Sequence, residues 1–396
     1  MEPAERVAGI PPSGIRRFFE LAEEVDDVIS LGVGEPDFSP PWSARSAAIA
    51  ALERGQTSYT TNRGKRELRA AIAAHHERWG HDYDPDDEVL VTTGVSEGVD
   101  LAMRALVDPG DVVAVADPTY ISYPPTVEFA GGEVLPVPTD EDEFALTYDA
   151  LDRAGAGEAD CLIYCYPNNP TGATLTGEQV RGVAAFAREH DLTVLADEVY
   201  AALTYDREHV SVATLDGMRE RTVVFNGFSK AYAMTGLRLG YALGPSEAID
   251  AMNRVHQYTM LSAPTTAQHA AIEALRDCEE DVAEMRSEYD RRRQYVLARF
   301  EEMGLDCFEA KGAFYVFPEV PRAGGAADGG RAEAEDPLAD DEAFAERLLR
   351  EQNVAVVPGR VFGESGRGHL RVSYATGMGE LREAMDRIEA FLDDHR

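Results

Sequence analysis

Lysine is nearly absent from this chain. Of its 37 basic residues only three are lysines, Lys65, Lys230 and Lys311. Cysteine is also scarce. Cys161, Cys165, Cys278 and Cys307 share no CxxC spacing, and two of them flank the apolar run CLIYC. Buried free thiols are expected, rather than a disulfide framework or a metal site. The nine histidines are scattered, and the pair His75–His76 has neither HExxH spacing nor a cysteine partner, so it reads as solvated. No apolar run approaches the roughly 20 residues that span a bilayer. The opening MEPAERVAGIPPSGIRRFFELAEEV lacks a charged-then-apolar signal pattern. A cytoplasmic location without a membrane partner is expected.

Positive charge is short as well. The 72 acidic residues leave a net charge of −35, spread along the chain rather than held in a tail. That excludes nucleic acid, which needs a basic face. A hydrophobic content of 44% excludes a disordered acidic chain. The combination reads as a salt-adapted protein, whose self-repulsion is tolerable when the Debye length shrinks to about 3 Å near 1 M salt.

Within these limits the chain alternates strands and helices. Apolar runs at 88–94, 112–118, 131–138, 159–167, 192–198, 222–228 and 239–244 read as strands, and 96–108 and 176–191 as helices. Short apolar runs between helices imply an α/β fold on a mostly parallel seven-stranded sheet with both faces covered. The last third differs: a long helix at 281–304, then strands at 312–318, 353–359 and 369–375, reads as a smaller α+β domain. The expected division is an arm and part of the small domain at 1–41, a large domain at 42–285 and a small domain at 286–396. The segment 322–342, RAGGAADGGRAEAEDPLADDE, reads as a flexible acidic loop.

Five short stretches follow expected strands, where a parallel sheet places its ligands: GEPDF (34–38), TTGVSEG (92–98), YPNNPTG (166–172), ADEVY (196–200) and SKAYAMTGLRLG (229–240). A sixth, LRVSYA (370–375), lies in the small domain. Each has a plainer reading alone. TTGVSEG could be a capped helix start, PNNPTG a turn, and ADEVY acids at a helix N-terminus. Arg371 could be edge-exposed, and Lys230 could be a surface lysine in a strand-to-helix turn.

In this order the stretches resemble the fold-type I pyridoxal 5'-phosphate (PLP) aminotransferases of class I/II. The likeness runs from SGIRRFFELA (13–22) to the last helix, and is nearest the aspartate/aromatic branch, with its IPPSGIR opening and AVVPG stretch. The resemblance implies that Lys230 holds the cofactor aldehyde and moves the proton. It implies that Asp197 keeps the ring nitrogen protonated, so that the ring can act as an electron sink. Tyr200 and Asn169 would face the ring's phenolic oxygen, and Tyr120 would stack on the ring. The N–H groups of Val95 and Ser96, with Ser229 and Arg238, would hold the phosphate. Arg371 would pair bidentately with the substrate carboxylate, beside Asn169 and a side-chain-free Gly34. Tyr59 would serve the neighbouring subunit's phosphate in a homodimer. Gly227 departs from relatives that carry a small or hydroxyl residue there. Lys65 and Lys311 read as an exposed helix start and a turn.

The activity implied is ping-pong transfer of an amino group from aspartate or an aromatic amino acid to 2-oxoglutarate. The alternative is a PLP-dependent C–S lyase or related lyase on the same fold. A transcription regulator is disfavoured by the negative charge and by site motifs that begin at residue 34.

Overall fold

The computed structural model describes residues 3–23, 25, 27–321 and 340–395. Seven strands form one sheet, ordered Val89–Thr92, Gly240–Leu243, Thr222–Gly227, Thr193–Asp197, Cys161–Cys165, Val112–Asp117 and Glu133–Pro138. Only Gly240–Leu243 runs against its neighbours. The strands Cys161–Cys165 and Thr222–Gly227 are buried along their whole length. This is why CLIYC and TVVF are continuous apolar runs rather than alternating ones. The edge strand Glu133–Pro138 is the partly exposed one and tolerates two prolines. Helices cover both faces. Gly177–Glu189, for example, starts from a capping box in which Thr176 and Gln179 satisfy each other's backbone N–H.

The last third is built on the helix Glu279–Met303 and a three-stranded antiparallel sheet of Val357–Pro358, Leu370–Ser373 and Tyr315–Val316. Ile29–Ser30 pairs in parallel with Val354–Ala355, which ties the N-terminal segment to this part. The expected strand 353–359 is thus two short strands serving different sheets. A division at 285/286 falls inside the Glu279–Met303 helix. Among the described residues no helix is long and apolar enough to cross a membrane.

Several expectations need correction. His76 is not solvated but fully buried, with Nε2 2.8 Å from the Tyr241 hydroxyl. The helix face that carries it packs inward. The acidic loop expected at 322–342 lies at 322–339 outside the described residues, but 340–342 is ordered. Asp340 caps the helix Asp341–Gln352 by accepting from the N–H groups of Glu342 and Ala343. Acids there serve a helix N-terminus. No α-helix follows Lys230 or ADEVY directly; both strands end in turns. Cys161, Cys165 and Cys278 are buried free thiols, and Cys307 is a half-buried one.

Candidate active site

A cavity of about 460 Å³ opens at the carboxyl ends of the parallel strands. It brings together every candidate residue except Tyr59, which is 79% exposed and is absent from the cavity wall.

Lys230 Nζ donates to the carbonyl of Gly34 at 2.7 Å. Burial, and then the nearby charge of Arg371, push its amine down to about 8, against the pull of Glu35 and Asp197. Asp197 ends its strand with the carboxylate fully enclosed. Tyr123 O–H donates to Oδ2 at 2.6 Å and Val199 N–H to Oδ1 at 3.1 Å. Burial nevertheless raises this carboxyl to about 6.

Arg371 is 2% exposed, so it is not an edge residue. Its Nη1 donates to Asn169 Oδ1 at 2.9 Å and its Nη2 to the Gly32 carbonyl at 2.6 Å. The guanidinium is sandwiched 4.8 Å from the Tyr315 ring centroid and 4.7 Å from that of Phe362. Its buried Nε has no partner. Tyr200 and Tyr315 share a hydrogen bond of 3.0 Å between their hydroxyls. A Cβ on Gly34 would collide with that Tyr315 hydroxyl, so glycine is needed for packing of the wall itself.

Val95 and Ser96 begin the helix Val95–Leu106. The N–H groups of a first turn have no intrahelical acceptor and point outward from the helix end, here toward the cavity. Glu97 is turned away, accepting from Thr93 N–H and lying 2.7 Å from His256 Nδ1. Ser229, Tyr120 and Arg238 complete this wall. Gly227 has a steric cause: a Cβ there would lie 2.9 Å from Gly240 Cα in the paired strand. No side chain could stand at that position, whatever it might contact.

Tyr123, Tyr315, Glu35 and Arg16 also line the cavity and were missed from sequence. Tyr123 lies three residues from Tyr120, in DPTYISY (117–123), with no signal of what its hydroxyl meets. Tyr315 lay in a strand whose alternation was hidden by neighbouring aromatics.

The family model described as Aminotransferase class I and II matches residues 26–388. The chain belongs to this family. This class I/II aminotransferase is 42% identical over its whole length to the whole aspartate aminotransferase of Pyrococcus abyssi. It is 41% identical, again over the whole of both chains, to aromatic-amino-acid aminotransferase 2 of Thermococcus litoralis. The solved aspartate aminotransferase of Thermus thermophilus with maleate matches with a TM-score of 0.90 at 37% identity, covering 98% of this chain and 99% of that one. The fold is therefore fold-type I, and the relatives do not favour the lyase alternative.

Class I/II aminotransferases depend on PLP. The residues present suit that group. An amine in a buried cavity suits its aldehyde, the enclosed carboxylate of Asp197 suits its ring nitrogen, and a helix N-terminus beside Arg238 suits its phosphate. The orphaned Nε of Arg371, on a guanidinium whose hydrogen bonds go to the neutral oxygens of Asn169 and Gly32, suits an arriving anion.

Proposed function

We propose that this aminotransferase moves the amino group of aspartate or an aromatic amino acid to 2-oxoglutarate in two half-reactions at one site. The observation that carries the reading is the convergence of Lys230, Asp197 and Arg371 on one cavity in a chain with three lysines. PLP supplies an electron sink for the bond broken at the substrate's Cα. Lys230 would hold it and carry the proton at Nζ. An amine pushed down to about 8 is neutral, and so basic, at mildly alkaline pH. Asp197 would hold the ring nitrogen's proton, and Tyr200 with Asn169 would flank the phenolic oxygen. Tyr120 would stack on the ring. Val95, Ser96, Ser229 and Arg238 would bind the phosphate. Arg371, with Asn169 and the open wall at Gly34, would take the substrate α-carboxylate; the dry, ring-lined surroundings strengthen that pairing.

The names of both kinds of relative support the two donor classes. A cytoplasmic, salt-requiring homodimer is part of the same proposal. Trp42, Leu52, Tyr59, Tyr258 and Met260 are all more than half exposed. Hydrogen bonds from Thr265 to Ser58 and from Asn62 to Leu261 join the segments that carry several of them. An apolar face of this kind supports a covered interface between copies, with Tyr59 presented outward from its own site.

A panel of amino acids against 2-oxoglutarate tests the donors. Incubation with one amino acid alone tests the half-reaction. One equivalent of oxo acid per site means transfer; continued release of pyruvate or ammonia would mean a lyase and would overturn the reading.

A further inference from the structure

Asp197 is held from one side by a group that the activity does not by itself require. The helix Tyr123–Ala130 begins at Tyr123, with prolines at the next two positions that fix its first turn. Its first side chain, 1% exposed and part of the cavity wall, places its O–H on Asp197 Oδ2 at 2.6 Å. Val199 N–H occupies Oδ1. Those two donors fix the plane of the carboxylate.

We propose that Tyr123 is a positioning residue that keeps Asp197 ionised and aimed for the ring nitrogen of PLP. The inference rests on the role proposed for Asp197. The charged and titratable groups facing Asp197 are few: Tyr123, the Cys165 thiol on the neighbouring strand, Glu198 next in the chain, and Lys230 across the cavity. Glu198 is an anion and opposes ionisation of Asp197. Cys165 donates to the Pro167 carbonyl, and burial keeps its thiol neutral, so it adds no charge. Lys230 is a favourable cation, but it is the group proposed to carry PLP. A stable donor is therefore needed, and Tyr123 is one. Burial, and then the charge of Asp197, push its hydroxyl well above the ordinary tyrosine range, so it donates at every working pH.

Removing the hydroxyl leaves Oδ2 without its donor in a dry site. A hydrogen bond to a charged group is worth about ten- to a hundredfold in proton affinity, so the Asp197 carboxyl should rise by about one to two pH units in Tyr123→Phe. A raised carboxyl is protonated first at low pH, and a neutral acid cannot hold a ring cation. The affinity of PLP for the apoenzyme should therefore fail at a higher pH in the variant.

The test is equilibrium ultrafiltration of PLP with apoenzyme between pH 5.5 and 9 at fixed high salt, comparing wild type, Tyr123→Phe and Tyr123→His. Titration of PLP itself and of Lys230 acts on all three alike, so only the difference between curves is read. The expected result is equal affinity near pH 9 and an acid limb displaced upward by about one to two units in Tyr123→Phe, with partial return in Tyr123→His, whose ring can donate. Superimposed curves, or a loss of the same size at every pH, would overturn the proposal. So would a phenylalanine variant that does not fold, because the hydroxyl would then serve packing rather than charge. Failure of wild-type apoenzyme to bind PLP at all would instead remove the proposed role of Asp197.

Discussion

Asp197 and Glu198 are consecutive, both almost fully buried, and shifted in opposite directions. They lie at the end of one strand and point to opposite sides of it. Asp197 faces the cavity, where its hydrogen-bond donors are a neutral tyrosine and a backbone N–H, and burial wins, raising the carboxyl to about 6. Glu198 faces a polar cluster. Ser211 O–H donates to Oε1 at 2.5 Å, and His209 Nε2 lies 3.0 Å from Oε2. Burial acts on Glu198 too, but His209, then His81 and Ser211, outweigh it and hold the carboxyl below its usual range. Burial sets the outcome at Asp197, where Lys230 and two donors only partly offset it, and loses at Glu198, where the surrounding groups outweigh it. Arg371 belongs to the cavity side of this contrast: buried, paired with neutral oxygens, its guanidinium pulled down by burial. The carboxyl that burial raises is the one facing the cavity, where an ionic ligand is to bind, and the one held low faces the interior of the fold.

Removing single charges on the two sides should separate activity from stability. Lys230→Ala should lose essentially all turnover and the visible absorbance of bound cofactor, and borohydride reduction of the wild type followed by peptide mapping should label Lys230. Label on Lys65 or Lys311 would defeat the assignment. Asp197→Asn should lose about three or more orders of magnitude in turnover, since each factor of ten is about 1.4 kcal/mol and the whole ring charge is at stake. Its apoenzyme should melt no lower than wild type, because an uncomfortable charge has been removed. Retained activity in Asp197→Asn would erase the contrast.

Arg371→Lys comes next in size. Loss of the planar two-point contact should lower kcat/KM by about a hundredfold for every donor alike, as expected for the loss of charge-assisted hydrogen bonds. A selective loss for aspartate or for phenylalanine would show that Arg371 reads the side chain instead. Glu198→Gln should behave in the reverse manner to Asp197→Asn. It should cost about 2 kcal/mol of stability through the disturbed cluster, yet keep turnover within about tenfold. Urea unfolding beside steady-state rates would measure both, and a larger effect on rate than on stability would place Glu198 with the site.

The sheet was legible because buried parallel strands must be continuous apolar runs, and the strand at 159–167 needed nothing else to be found. The cavity residues were legible as short polar stretches after those runs, so Lys230, Asp197, Asn169 and Arg371 converge where the order of motifs put them. What the sequence hid were contacts between distant segments. Tyr123 meets Asp197 across 74 positions and Tyr315 meets Tyr200 across 115. Neither pairing leaves a local pattern. His76 was misread for the same reason: its partner, Tyr241, is 165 residues away.

His76 provides the smallest and sharpest test of the two sides. Burial first, and then the crowding of His81, His75, His209 and Arg78 around it, hold its imidazole well below 6.5, so the folded chain keeps it neutral. His81 is lowered in the same direction, chiefly by burial. An unfolded chain takes up protons on these rings as pH falls through about 6.5, and the folded chain does not. Stability should therefore be lost below that pH, at about 1.4 kcal/mol per pH unit for each ring kept neutral. Asp197 works in the opposite sense. Raised to about 6, it keeps a proton in the folded apoenzyme that the unfolded chain releases down to about 3.8, so it adds stability as pH falls across that interval. Urea unfolding of apoenzyme between pH 7 and 5 should show a net acid-side loss. His76→Gln should make the slope shallower, and Asp197→Asn should make it steeper. If His76→Gln leaves the slope unchanged, the buried imidazole takes no part in the linkage, and the compensated side of the strand draws its pH response from elsewhere.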